Sequence, residues 1–300
     1  PSLFKDTGCV DEYSLCVKLG SKAQSNLNEF RNGFIKEKDF KWIAGQGLNA
    51  VRLPIGYWIL DGQQPYVSTL KYADDAMAWA EKYGLSVIFS MHGAPGSQNG
   101  KNHSGRAGEV GWHKNPANIQ LTLDVIGYIT QRYRGNPSLG GIELLNEPHW
   151  KVPRKVLKKY YQDAYALIRQ SAGDSVQVII NDHYKPGFWK KFSSSSGYKN
   201  VAIDRHIYQA YKRGSRRDLA SMIKKTDHGK QQIIKAQKIS PHIIGEWSLA
   251  LHQGSRAVAT AGRDNVMAAY GRAHLPGAKS MPIENTFCST RIAPSHTTAT

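Results

Sequence analysis

Six short apolar runs, each giving way to polar residues, alternate with segments of helical period along this chain. That alternation limits the folds open to it. The runs are Leu48–Leu53, Leu85–Met91, Gly141–Leu145, Val176–Ile180, Val201–Ile203 and His242–Ile244. Most are rich in Val, Ile and Leu, as strands buried on both faces are. Between them, Tyr72, Ala76, Trp79 and Tyr83 recur at spacings of three and four, and so do Leu121, Val125, Tyr128 and Ile129. Val156, Tyr160, Ala164, Leu167 and Ile168 form a third stripe, with Lys155, Lys158 and Lys159 on the opposite face. Strands alternating with amphipathic helices predict parallel βαβ units. The glycine-rich fingerprints of dinucleotide-binding and P-loop proteins are missing, so neither function has support. An open doubly wound sheet and a closed barrel remain, and the residues at the strand ends separate them.

Composition excludes some functions. Hydrophobic residues make up 40% of the 300 and charged residues 21%, enough to bury a core. No apolar run approaches the length of a membrane span. The net charge of +17 permits binding to polyanions. The basic clusters at 151–159, 185–191 and 212–217 carry no RNA-binding motif, and the first belongs to the wet face of a helix. No nucleic-acid partner is therefore expected. The three cysteines, Cys9, Cys16 and Cys288, make no metal pattern. A Cys9–Cys16 bridge is open, though the odd count argues against a disulfide scaffold. The oligomeric state stays undetermined.

Polar residues gather where the strands end. Arg52 closes the first run, His92 the second, Asn146 and Glu147 the third, and Asn181, Asp182 and His183 the fourth. The fifth runs into His206 and Tyr208, and the sixth into Glu246 and Trp247. Functional groups at the carboxyl ends of several different strands are what a (β/α) barrel site requires, whereas an open sheet concentrates them at one switch point. A carboxylate directly after an apolar strand is costly unless it faces a polar cleft. Two such carboxylates, Glu147 and Glu246, suit glycoside hydrolysis, in which one protonates the leaving oxygen and the other attacks the anomeric carbon or activates water. Arg52 can hold a carboxylate ionised, and Asn146 can donate to a sugar hydroxyl. His92, His206 and Tyr208 can orient the carboxylates or bind hydroxyls. Trp58, Trp112, Trp150 and Trp247 offer faces on which sugar rings can stack. Metal and serine-nucleophile chemistry are weaker alternatives, since neither a zinc-protease helix motif nor a nucleophile-elbow motif is present.

These residues sit in segments that resemble glycoside hydrolase family 5, most of all its exo-β-1,3-glucanase branch. The segments are VRLPIGYW (51–58), HGAPGSQNG (92–100), GIELLNEP (141–148), HIYQ (206–209) and IGEWS (244–248). The resemblance implies a TIM (β/α)8-barrel and a retaining double displacement with no metal or cofactor. It implies Glu147 as acid/base, Glu246 as nucleophile, and Arg52, His92, Asn146, His206, Tyr208 and Trp247 around the reacting sugar. It also implies a β-glucan substrate and a secreted or wall-associated protein whose signal peptide lies upstream of Pro1. Within the family, a β-1,4-glucanase or mannanase is the rival; outside catalysis, a glucan-binding or inert relic is.

Three departures stand out. Ser90 replaces an Asp that is usual in relatives, and Lys101 stands where they carry an aromatic on the acceptor side. Only six of eight strands are legible, the first and last being missing, so an incomplete barrel with exposed strand edges is expected. The catalytic domain is expected to span 1–251 and to be partial. Residues 252–300, rich in Ala, Thr, Ser and Arg and without Trp, are expected to form a divergent, poorly ordered tail.

Overall fold

A computed structural model describes residues 3–183, 186–193, 195, 197–208 and 218–248. The expected tail, 252–300, lies outside the described residues. The chain divides into two compact units, residues 1–202 and 203–300.

In the first unit, strands β1 (Ala50–Gly56), β2 (Ser86–Gly93), β3 (Leu139–Glu143) and β4 (Gln177–Asn181) are parallel neighbours in chain order. Helices α1 (Glu12–Leu19), α2 (Ala23–Phe34) and α3 (Glu37–Gly45) precede them. Helix α4 (Leu70–Tyr83) joins β1 to β2, α5 (Pro116–Tyr133) joins β2 to β3, and α6 (Arg154–Ala172) joins β3 to β4. Helix α7 (Pro186–Ser193) follows β4. The second unit takes up β5 (Val201–Ile207) after its first two residues, then α8 (Leu219–Gln237) and β6 (His242–Trp247). β5 and β6 pair in parallel, with His206 opposite Glu246. Neighbours that follow chain order, each pair linked by a helix, are the mark of a TIM barrel; a doubly wound sheet reverses its order partway. Six strands are present among the described residues, against the eight of a complete TIM barrel.

The strands begin up to two residues from the apolar runs, and several reach further. β1 continues to Gly56, β2 to Gly93, β5 to Ile207 and β6 to Trp247. Arg52, Ser90, Asp204 and Glu246 therefore lie inside strands, with side chains in the sheet's own registry. β3 stops at Glu143, but its backbone stays engaged: Leu144 N–H donates to Ile179 O on β4 (2.9 Å) and Asn146 N–H to Met91 O on β2 (2.8 Å). The chain thus swaps neighbours just before Glu147.

Helix α6 buries Tyr160, Ala164 and Ile168 and exposes Lys155, Lys158 and Lys159, as its stripe predicts. Leu167 packs on Gly127 of α5, where a Cβ would come within 2.9 Å of it. Helix α4 differs. Its buried face is Ala73, Ala76, Met77 and Ala80, while Tyr72 and Trp79 are only half-buried. Small residues let this helix approach the sheet, and its aromatics serve neighbours instead: Trp79 meets Phe40 of α3 edge-on.

Helix α1 is capped by Asp11, whose Oδ1 accepts Ser14 N–H at 2.7 Å. The other oxygen of Asp11 accepts Ala107 N–H at 2.7 Å, tying the helix to the long loop after β2. Cys9 and Cys16 are free thiols, so no bridge joins them, and burial pushes the Cys16 thiol up to about 11.

Candidate active site

The first unit brings Arg52, Ser90, His92, Glu143 and Asn146 into one buried network. Glu143, on β3, is fully buried, and its Oε2 takes three donors. Arg52 supplies Nε at 2.9 Å and Nη2 at 2.6 Å, and the Ser90 hydroxyl lies at 2.6 Å. A second bond from Arg52 Nη2 reaches Asn146 Oδ1 at 2.8 Å. Glu143, which sequence reasoning passed over, is thus one carboxylate that Arg52 holds at hydrogen-bond distance. The clue was available: an acid inside an apolar strand cannot stay there without a cation.

Proton bookkeeping assigns a tautomer. Ser90 has one hydroxyl proton, and Glu143 Oε2 can only accept it. His92 Nδ1, 3.0 Å from the same hydroxyl oxygen and 3.3 Å from Ser90 O, therefore carries a proton and donates. Asn146 is oriented likewise. Its carbonyl oxygen is committed to Arg52, while its Nδ2 is buried and has no partner among the described residues.

Gln98 fastens the loop after β2. Its Nε2 donates to His92 O (2.5 Å) and Asn146 O (3.0 Å), and its Oε1 accepts Ala94 N–H (3.2 Å). This one buried amide ties the carboxyl ends of β2 and β3 together. Glu147 comes next, with φ of +44°, a left-handed conformation that costs a non-glycine residue about 1–2 kcal/mol. Its carboxylate lies 3.5 Å from His103 Nε2 and is partly exposed. Ser97 (φ +60°) and His183 (φ +47°) are strained in the same way, and both follow strands. Such strain clusters at functional sites.

The second unit holds the other carboxylate. Glu246 on β6 is buried, and its Oε2 accepts the Tyr208 hydroxyl at 2.8 Å. His206 places Nδ1 at 3.4 Å from that same oxygen and Nε2 at 2.8 Å from Asp204 Oδ2. Asp204, fully buried, accepts Gly245 N–H through Oδ1 at 2.6 Å. Glycine is required at 245, since a Cβ there would come within 2.4 Å of the Asp204 carboxylate. Four residues of two paired strands thus form a polar chain ending on Glu246. Asp204 is the second group that sequence reasoning missed, and its position two residues before His206, on the same strand face, was the signal.

The tryptophans divide. Trp58 is buried, stacked on Tyr66 with centroids 4.3 Å apart. Its ring fills space where a Cβ on Gly56, Gly93 or Gly105 would come within 2.4 Å. Trp112 is fully buried, its indole N–H on Thr122 Oγ1 at 2.9 Å. Both are structural. Trp247 is half-buried, and Trp150 is 73% exposed on the loop after Glu147.

Similarity to known proteins agrees with this geometry in two steps. Solved structures share the fold. A rutinosidase from Aspergillus niger superposes with a TM-score of 0.71 over 83% of this chain and 75% of that one, at 20% identity. The endoglucanase Cel5A of Thermotoga maritima gives 0.57 over 80% and 78%, at 19% identity. The model of the family described as "Cellulase (glycosyl hydrolase family 5)" matches residues 18–276, and the chain belongs to that family. A probable glucan 1,3-beta-glucosidase A of Emericella nidulans is 39% identical over 272 residues, 85% of this chain and 64% of that protein. A glucan 1,3-beta-glucosidase of Blumeria graminis is 38% identical over 83% and 60%. One of Schwanniomyces occidentalis is 39% identical over 85% and 61%. The chain spans about three fifths of the length of these curated relatives.

Proposed function

We propose that this chain carries the catalytic residues of a retaining β-glucosidase that releases glucose from β-1,3-glucans. Glu246 attacks the anomeric carbon and Glu147 gives a proton to the departing glycosidic oxygen. Glu147 then takes a proton from water, which displaces Glu246 from the glycosyl–enzyme ester and returns both carboxyl groups to their starting states. Tyr208 and His206 orient the nucleophile, and Asn146, held by Arg52, presents its amide N–H to a sugar hydroxyl. His92 and Trp247 are assigned to sugar binding. The observation that carries this reading is the placement of Glu246: a carboxylate on a strand, gripped by the Tyr208 hydroxyl and facing an imidazole that Asp204 fixes. The linkage rests on the relatives, which are named as glucan 1,3-beta-glucosidases. Their substrate also favours action outside the cell or in its wall.

Turnover tests the proposal. The chain is expected to release glucose from laminarin in preference to carboxymethylcellulose and mannan. Cleavage of mannan alone would replace the substrate assignment with that of a mannanase. Glu246→Gln should lower hydrolysis of an aryl β-glucoside by about 10³-fold or more. Unchanged turnover would remove Glu246 from the nucleophile role. Glucan binding with no turnover by the parent chain would establish the non-catalytic alternative.

A further inference from the structure

The loops beside Glu147 carry an unbalanced positive charge that the proposed chemistry does not use. Lys101 is exposed on the loop after β2, two residues before His103, the residue that meets Glu147. Lys151 is exposed four residues after Glu147, with its ammonium 5.8 Å from the ring centre of Trp150. Neither lysine has a carboxylate partner among the described residues, in contrast to Lys114, which pairs with Glu109 at 2.7 Å.

The two loops are joined firmly. His149 N–H donates to Gln98 O (3.0 Å), and His183 Nε2 donates to His149 O (2.9 Å). Lys151 N–H donates to His149 Nδ1 (3.1 Å). On the facing loop, Lys101 N–H donates to Asn99 Oδ1 (2.9 Å), and Gly108 N–H to Gly100 O (2.9 Å). A cavity of about 240 Å³ lies between them, lined by Lys151 on one side and Gly108, Glu109, His113 and Lys114 on the other. The His149 imidazole reports the local field. Burial, Lys151, Lys101 and His183, in that order, hold its pKa below the usual histidine range.

Glu147 is the group that protonates the departing oxygen, so a sugar beyond the cleaved bond lies on its side of the site. We propose that Lys101, Lys151 and the open face of Trp150 recognise a carboxylate-bearing sugar, a uronate or an aldonate, on the leaving-group side of Glu147. The indole supplies the apolar face on which a sugar stacks, and the two ammonium groups supply the charge that selects an acid over a neutral hexose. This specificity rests on the assignment of Glu147 as acid/base in a β-1,3-glucosidase.

Laminaribionate and laminaribiitol test it, because they share one β-1,3-glucosidic bond and differ in whether the open-chain end is a carboxylate or an alcohol. Binding of each to the chain is followed by NMR titration, and hydrolysis by glucose release. Two exposed ammonium groups near one carboxylate should favour laminaribionate by about fivefold in both affinity and kcat/KM at roughly 20 mM salt. The ratio should fall towards one in about 0.5 M salt, where screening is strong. It should fall likewise in Lys101→Gln/Lys151→Gln. A ratio of one in the parent chain, or a preference that survives both the salt and the double substitution, overturns the proposal. The titration needs no turnover, so a chain that hydrolyses neither compound refutes the glucosidase reading while the affinity ratio still decides this one.

Discussion

Removing the charge of Glu143 should unfold much of what holds the first unit's site, and a double-mutant cycle with Arg52 measures how much. Glu143 Oε2 accepts two bonds from Arg52 and one from Ser90, and the carboxylate has no exposure to water. Charge-assisted bonds are worth about 1.5–3 kcal/mol each, and breaking a buried pair by deleting one partner costs about 3–5 kcal/mol. Glu143→Gln and Arg52→Met should therefore each lower the unfolding free energy by about 3–5 kcal/mol in urea, followed by tryptophan fluorescence and far-ultraviolet circular dichroism. The double substitution removes both charges together, so it should cost at least about 2 kcal/mol less than the sum of the singles. Ser90→Ala removes one donor without stranding a charge and should cost about 1–2 kcal/mol, which keeps the network measurable where a charge-deleted variant fails to fold. Because Arg52 also holds Asn146 Oδ1, the folded variants should lose about tenfold or more in kcat/KM. Strict additivity of the two singles would refute the reasoning, since it would mean that the two groups do not compensate each other.

Other perturbations have expected outcomes. Gly245→Ala forces a methyl group against the Asp204 carboxylate, so stability should fall by about 1–3 kcal/mol and glucosidase turnover should drop as His206 loses its anchor. Wild-type turnover in this variant would show that Asp204 does not position His206. Asp74 tests a pH dependence. Burial raises its carboxyl pKa, but the Arg132 guanidinium, at 2.7 Å from both oxygens, and the Tyr133 hydroxyl, at 2.8 Å, outweigh it and hold the group below the usual carboxylate range. The stabilisation is thus present above the unfolded-state pKa and is lost as pH falls through the lower folded one. Asp74→Asn should cost at most about 1 kcal/mol at pH 7, given the exposure of the pair. The gap between parent and variant in thermal melts should close below about pH 4, and a constant gap would exclude the linkage.

Much of the barrel was legible because each βαβ unit writes two periods into the chain, and both carboxylates proposed for catalysis stood out as charges directly after apolar runs. The supporting acids did not. Glu143 interrupts an apolar strand singly and finds its cation 91 residues away, which no local pattern can display, while Asp204 directly follows Val201–Ile203 and was hidden among the polar Arg205 and His206 beside it. The face of α4 was misplaced for a related reason. Tyr72 and Trp79 carry more apolar surface than Ala73 and Ala80, but closeness to the sheet favours the smaller side chains, and only the packed helix shows it. The helices before β1 carry weak stripes, with Val17 and Trp42 among their exposed residues, so their sequence does not announce them.

The glycine seat of Trp58 bears on how this family member can change. Three glycines from the ends of β1 and β2 and from the loop at 105 leave room for one indole and nothing more. Gly105 also supplies the carbonyl that accepts both Tyr13 N–H and the Tyr66 hydroxyl. The segment from Ser97 to Gly105 is therefore anchored from below by an interlocked set whose members cannot vary one at a time. Lys101, on the same segment, is exposed to solvent. Placement and preference are written in different side chains: the exposed position 101 can exchange one side chain for another in a single codon while the buried seat of Trp58 stays as it is.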